Sequence, residues 1–248
     1  MKQVTSILKM FSLALLIVGG TACTGNFDDI NRKDYEVDKN ELGRENYNLG
    51  ATLRGLQGLV VPTKEHLYQF IEALAAGPYA GYFGATNPWT TKFETYNPSV
   101  DWQDKTFSDI FTETYPLYRD LLDQSDDPVA LALAKLLRVA IMHRMTDTYG
   151  PIPYSKVIED SSESLTVAYD SQETVYMKMF EELDAVIAAL HANEQMSAEA
   201  FRKSDNVYYG DIKKWIKYAN SLKLRMAMRL SYIDEQTAKA KAAEGIAD

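Results

Sequence analysis

Apolar side chains recur at helical spacing in one segment after another, and this repetition restricts the fold more than any other feature of the sequence. The clearest segment follows Asp127-Pro128 and ends before Gly150-Pro151. Aspartate is a good N-cap, proline suits a first helical turn, and glycine followed by proline is a typical helix end. One helical face would carry the apolar residues Val129, Leu133, Leu136, Leu137, Ala140 and Ile141. A helix between these two signals is therefore predicted.

The end of this helix carries several residues with special geometry. Arg144 and Asp147 stand three apart, so they are predicted to pair on the last turn. Gly150 follows Tyr149 and can take the positive φ of a helix C-cap. Pro153 should hold the chain that leaves the helix in an extended conformation. These residues predict a well-capped helix followed by a rigid turn.

The remaining segments also favour helices. The same spacing predicts helices over residues 47–61, 65–76, 105–122 and 235–243. Two more should begin at a capping box in Asp170-Ser171-Gln172-Glu173 and at Asp211. Gly77-Pro78 should end or kink the helix before it, and Pro116 should kink or split the helix that contains it. Residues 165–169 could form a short extended segment. The predicted fold is all-α, and paired helices of this kind can stack as a solenoid.

Composition excludes some functions. A chain of 248 residues with 46% hydrophobic content can bury a core of ordinary size. Its formal net charge is −9, and no run of lysine or arginine interrupts that acidity. An acidic surface repels nucleic acid and anionic lipid, so binding to nucleic acid is not expected.

The N-terminus has the pattern of a lipoprotein signal. Residues 1–22 combine Lys2 and Lys9 with a short apolar run and a small-residue cleavage region. The run is too short to span a bilayer. Cys23, the only cysteine, follows directly and is predicted to be lipidated, the alternative being an ordinary signal with an incidental cysteine. Residues 23–42 would then be an acidic tether between the membrane and a helical domain over 43–248.

The segment 77–104 is unusually rich in aromatic rings, prolines and glycines and is predicted to be largely loop. Rings can cover the apolar face of a sugar while amides bond its hydroxyls. Trp89 lies between Asn87-Pro88 and two threonines, and it is predicted, with Asn87 and Tyr96, to contact a ligand. The alternative is that the rings form the loop's own small core. That alternative is favoured for Tyr79, Tyr82 and Phe83, because their spacing can continue a helix face. It is also favoured for Trp102, which precedes a helix.

Signals for catalysis are lacking in the sequence. His66, His143 and His191 fall on three separate predicted helices without zinc-ligand spacing, so no metal is expected. His143 and Asp147 are four apart and are interpreted as a helix-surface pair. No nucleophile elbow, phosphate loop or dinucleotide fingerprint occurs, so neither catalytic residues nor a cofactor is predicted.

Three motifs occur together in this sequence. The first is Arg-x-x-Asp-x-Tyr-Gly-x-x-Pro-Tyr-Ser over residues 144–155. The second starts at Tyr209-Gly210-Asp211 and continues into a helix with Trp215 and Asn220 that ends in Ala-Asn-Ser-Leu-Lys-Leu-Arg. The third is Cys23 followed by Phe-Asp-Asp-Ile-Asn over residues 27–31. Together they resemble hallmarks of the SusD/RagB family. We interpret six residues of the first two motifs as structural: Arg144, Asp147, Tyr149, Gly150, Trp215 and Asn220. Asn220 would be buried and bond neighbouring backbone, while Arg225 and Arg229 would be structural cations.

The resemblance implies a fold and a function. Family members are built on irregular tetratricopeptide-like helix pairs, a helical-pair solenoid with long loops. They are lipid-anchored, surface-exposed outer-membrane proteins that bind an oligosaccharide and work with a SusC-like TonB-dependent transporter. Members are about twice as long as this chain, which resembles their N-terminal half. Two alternatives stay open: a peptide-binding partner of such a transporter, and a helical enzyme acting on glycosides.

Overall fold

The computed structural model describes residues 47–158, 166–195 and 199–248, and these residues are helical apart from their connecting loops. The predicted signal peptide, Cys23 and the tether lie outside the described residues. The helices are α1 (Tyr47–Val60), α2 (Glu65–Tyr68), a π-helix (Gln69–Ala76), α3 (Gly77–Tyr79), α4 (Val100–Gln124), α5 (Pro128–Tyr149), α6 (Gln172–Ala192), α7 (Glu199–Ser204), α8 (Ile212–Arg229) and α9 (Glu235–Ala247). Within the described ranges no strand forms, which confirms the all-α prediction. No helix in those ranges is both long and apolar enough to cross a bilayer.

Helix α5 occupies the centre of the packing. It contacts α1, α4, α6 and α8, and fifteen of its side chains are buried around its whole circumference. A helix that is apolar on all sides is a core helix, and each fully buried leucine there contributes about 1.5–3 kcal/mol. Successive helices pack as pairs, α5 with α6 and α8 with α9, in the tetratricopeptide-like arrangement that the family resemblance implied.

The helix starts follow the capping signals of the sequence, with one exception. The Asp127 carboxylate accepts from the Val129 N–H at 2.9 Å, and the Asp211 carboxylate accepts from the Lys214 N–H at 3.2 Å, as predicted. Helix α6, however, is capped by Ser171 and not by Asp170. The Asp170 carboxylate is already occupied, because it accepts hydrogen bonds from the backbone after α5.

The predictions for the proline-containing helices need correction. Pro116 does not split α4, which runs as one helix and begins at Val100 because Ser99 caps it. Gly77-Pro78 does not end the second helical region either, since helical structure continues to Tyr79. The π-helix explains this: the Gly77 N–H donates to the Glu72 carbonyl five residues back, and the chain enters Pro78, which lacks an N–H, from this wider turn.

Candidate functional site

The candidate ligand site lies in the loop between α3 and α4, residues 80–99, which we call the aromatic loop. Trp89 is 61% exposed there, as its polar neighbours predicted. A shallow cavity of about 390 Å³ brings the indole together with Thr90, Thr91, Ser99 and Trp102. The site therefore combines an open ring face with three hydroxyl groups.

Polar side chains of the aromatic loop hold its backbone. The Asn87 side-chain oxygen accepts from the Trp89 N–H at 3.2 Å and so fixes the turn that presents the indole. The Lys92 ammonium donates to the Asn87 carbonyl at 3.0 Å, and the Asn97 amide donates to the Thr90 carbonyl at 3.3 Å. The predicted ligand residue Asn87 thus positions Trp89 and does not line the cavity.

The rings of this region divide into an exposed and an inner set. Phe93 is 9% exposed and stacks on Trp102 with ring centroids 6.1 Å apart, so Trp102 packs on the buried ring of the loop and also lines the cavity. Tyr96 is 81% exposed and stacks on Tyr79 at 5.1 Å, outside the cavity that contains Trp89. Its φ of +55° is a left-handed conformation that non-glycine residues rarely adopt.

Tyr82 and Phe83 were expected to belong to the loop's inner core, and this expectation is wrong. Tyr82 is 81% exposed and Phe83 is 60% exposed. The expectation assumed that they continue a helical face, whereas the helix ends at Tyr79 and the chain turns away at Gly81, whose φ is +77°. Phe83 still covers Gly77, where any Cβ would collide with its ring.

The last turn of α5 connects four helical regions. The sequence predicted an ion pair between Arg144 and Asp147, and this prediction is wrong. Arg144 instead pairs with Glu72 of the π-helix and donates to the Val60 carbonyl at 2.9 Å. Asp147 instead accepts from the Arg229 guanidinium at 3.1 Å and from the Tyr176 hydroxyl. Both side chains bind partners on neighbouring helices. The motif therefore links α5 to other helices and does not form an ion pair within its own last turn.

His143 lies beside this ion pair. Its Nε2 atom is 3.5 Å from an Asp147 oxygen but forms no hydrogen bond, and its side chain is 3% exposed. Burial lowers the pKa of His143, and the opposing effect of the Asp147 carboxylate is smaller. The predicted helix-surface pair is thus a close approach in the interior, with a neutral imidazole at neutral pH.

The turn after α5 has the geometry that the sequence predicted for Gly150. This residue has φ +77° and ψ −118°, a region open only to glycine, and its N–H donates to the Thr146 carbonyl at 2.8 Å. The Tyr149 hydroxyl donates to the Gln103 carbonyl at 2.8 Å and joins the turn to the start of α4. The carboxylate of Asp170 accepts from the Ser155 N–H at 2.7 Å and closes the turn from the other side.

The second motif is organised by a residue that the sequence analysis missed. Asp205 is 1% exposed, and one of its oxygens accepts from the Trp215 indole N–H at 2.7 Å. It also accepts from the Gln57 amide of α1 and from the backbone N–H groups of Val207, Tyr208 and Gly210. The available signal was the turn sequence Asp205-Asn206 shortly before Gly210, since aspartate commonly accepts from backbone a few residues later.

The remaining motif residues lie in the interior. Trp215 is buried beneath Tyr208 and Tyr218. Asn220 is buried too, but its amide donates to the Asp248 carboxylate at 2.7 Å and not to backbone. Among the described residues, no three His, Cys, Asp or Glu side chains are placed to hold a metal ion.

Comparison with known proteins finds one family. The family model of SusD-like proteins, described as SusD and RagB outer-membrane lipoproteins, matches residues 29–248. A SusD homologue from Bacteroides thetaiotaomicron is 52% identical with a TM-score of 0.74, and one from Bacteroides ovatus is 40% identical with a TM-score of 0.72. A chitin-binding SusD homologue from Flavobacterium johnsoniae is 32% identical with a TM-score of 0.73. A search of curated proteins finds no match.

The similarity extends over most of this chain but over less than half of each relative. The B. thetaiotaomicron structure aligns with 82% of this chain and 41% of its own, and the B. ovatus structure with 81% and 41%. The F. johnsoniae structure aligns with 82% and 43%. The family match, the shared motifs and the helical fold agree, and this chain belongs to the SusD-like family of outer-membrane lipoproteins.

Proposed function

We propose that this protein captures an oligosaccharide at the outer membrane, with Trp89 as the platform on which a sugar ring stacks. The observation that supports this is the exposure of the indole, 61%, above a cavity with hydroxyl-bearing walls. An exposed indole with threonine and serine beside it offers both the apolar face and the hydrogen-bonding groups that a sugar ring can use. A chitin-binding relative with the same fold supports a glycan as ligand.

The chemistry of the cavity suits a neutral sugar. The face of an indole covers the apolar C–H face of a pyranose, and the hydroxyls of Thr90, Thr91 and Ser99 can exchange hydrogen bonds with sugar hydroxyls. Asn87 and Asn97 already bond the loop backbone, so the platform is held in place before a ligand arrives. Preorganisation of this kind reduces the entropy lost on binding.

The test is a glycan-binding measurement on the Trp89→Ala variant. A panel of oligosaccharides, including chitin oligomers, first identifies a bound glycan by calorimetry. A central aromatic contact contributes about 2 kcal/mol, so the variant should bind roughly thirtyfold more weakly. The control is Tyr232→Ala, which removes a fully exposed ring from the turn between α8 and α9.

Three outcomes would contradict the platform. Unchanged affinity of Trp89→Ala would show that the ligand lies elsewhere. A large drop in melting temperature would show that Trp89 is a core residue. Binding of peptides but of no glycan in the panel would favour the peptide-binding alternative.

We further propose that Cys23 carries the lipid anchor and that the captured glycan passes to a SusC-like TonB-dependent transporter. The support is the family match together with the sequence around Cys23. The Cys23→Ser variant should lose labelling by radioactive palmitate, and labelling that persists would contradict the anchor. Co-purification of a transporter from detergent-solubilised outer membranes tests the partner. If no transporter co-purified in stoichiometric amount, delivery of the glycan to a transporter would be contradicted.

A further inference from the structure

A second, larger cavity lies at the last turn of α5, and neither motif nor family function has assigned a ligand to it. It has a volume of about 530 Å³ and is bounded by the last turn of α5, the first turns of α6 and the turn between α8 and α9. Aromatic-loop residues do not line it. A cavity of this size can hold a whole side chain or a small molecule.

The charges of the cavity favour a cation. Asp147, Glu173 and Asp234 line it, against the single guanidinium of Arg229. Because Arg229 is already paired with Asp147 at 3.1 Å, the other two carboxylates remain in excess. Glu173 is exposed, and among the described residues no hydrogen bond or ion pair engages its carboxylate. Two negative groups at the mouth of a cleft attract a positive ligand.

The helix N-termini at this cavity do not turn it into an anion site. The Thr174 N–H of α6 donates to the Ser171 hydroxyl at 3.1 Å, and the Thr237 N–H of α9 donates to the Asp234 carboxylate at 3.0 Å. The hydrogen bonds from Thr237 hold the pKa of Asp234 below its usual value, so this carboxylate is charged at neutral pH. Both starts are thus capped by the chain itself.

Apolar side chains also line the cavity. Met177, Leu230 and Ile233 contribute them; Leu230 is 9% exposed, whereas Ile233 is 81% exposed. Beside it on the same turn, Tyr232 is wholly exposed. Apolar side chains next to two carboxylates that form no ion pair among the described residues match an aliphatic stem that ends in a cation, the chemistry of arginine and lysine.

We propose that this cavity is a docking site for a basic side chain, arginine or lysine, presented by a separate polypeptide partner. The stem would lie along Ile233 and Leu230, with its head group between Glu173 and Asp234. A polypeptide also supplies apolar neighbours that can cover Tyr232, which a free amine cannot do. This site is separate from the aromatic loop and gives the protein a second type of contact beyond glycan capture.

The test compares two peptides that differ only in charge. Acetyl-leucyl-arginyl-leucinamide and its citrulline analogue, a neutral isostere, are titrated into the whole protein and followed by NMR. The arginine peptide should bind at least tenfold more tightly. Glu173→Gln and Asp234→Asn should each weaken it about threefold, the effect of one partly exposed charge pair. Asparagine is itself a good N-cap, so the second variant keeps the start of α9.

A matched variant and the remaining outcomes make the test decisive. Glu181→Gln removes an exposed carboxylate from the same helix, outside the cavity, and should leave the affinity unchanged. Equal binding of the citrulline peptide, or an affinity insensitive to Glu173→Gln, would overturn the proposal. So would self-association that Ile233→Ser abolishes, because the occupant would then be a second copy. Peptide binding that survives Trp89→Ala separates this site from the glycan site.

Discussion

Helix α5 and the aromatic loop are held in place by different forces. In α5 fifteen of twenty-two residues are buried, so its position follows from packing against four other helices. In the aromatic loop most side chains are exposed, and a few hydrogen bonds between side chains and backbone, such as those of Asn87 and Asn97, fix the backbone. Burial is distributed over many contacts, whereas the loop depends on a few local bonds. Substitutions in the two regions should therefore differ in their effect on stability and on binding.

The first prediction concerns the buried ion pair in α5. Arg138 is 6% exposed, pairs with Glu182, and lies over the rings of Tyr118 and Tyr154 at 4.8 and 4.6 Å. Arg138→Ala leaves the Glu182 charge without its partner in a low-dielectric interior, and we expect a loss of about 3–5 kcal/mol in the free energy of unfolding. Urea denaturation followed by circular dichroism measures it.

The control for this ion pair lies on the surface. Lys239 pairs with Glu235 four residues earlier, and both side chains are at least 70% exposed. Lys239→Ala should change stability by no more than about 0.5 kcal/mol. If the two variants were equally stable, packing in α5 would not depend on the buried pair, and the contrast between core and surface would fail at this point.

The second prediction tests the end of α5. A Cβ at Gly150 would meet no atom within 4 Å, so the expected penalty for Gly150→Val comes from the strained positive φ and not from a clash of its Cβ. We expect a loss of about 1–3 kcal/mol, measured as above. Gly58 of α1 also has free space around it but has an ordinary helical φ, so Gly58→Ala should stabilise by about 0.5–1 kcal/mol. Equal effects of both substitutions would show that conformation at Gly150 does not matter.

The smallest effect is expected in the aromatic loop. Trp89→Ala removes an exposed ring, so the free energy of unfolding should change by no more than about 0.5 kcal/mol even though glycan affinity should fall about thirtyfold. Phe93→Ala, which removes the buried ring of the same loop, should lower stability several times more. If Trp89→Ala melted at a lower temperature than Phe93→Ala, Trp89 would be the core ring of this loop, and its assignment as the binding platform would be wrong.

The same contrast explains what the sequence could predict. Helix α5 and its signals at Asp127 and Gly150 were predicted correctly, because periodicity and capping depend on neighbours along the chain. The partners of Arg144 and Asp147 were not, since they come from helices dozens of residues away. The exposure of Trp89 could be predicted from its polar neighbours. The exposure of Tyr82 could not, because it depends on where the helical region that contains the π-helix ends. Nothing in the spacing of residues 69–76 indicated that π-helix.

The carboxylate of Asp205 affects how this fold can come apart. It binds the Gln57 amide of α1, 148 residues earlier, as well as the Trp215 indole of α8. A solenoid whose repeats touch only their neighbours can fray from an end, one repeat at a time. Here a buried acceptor joins α1 to a distant turn, so α1 cannot open without breaking the hydrogen bond between Gln57 and Asp205. The first described helix and the turn before α8 should therefore exchange their amide hydrogens as one cooperative unit.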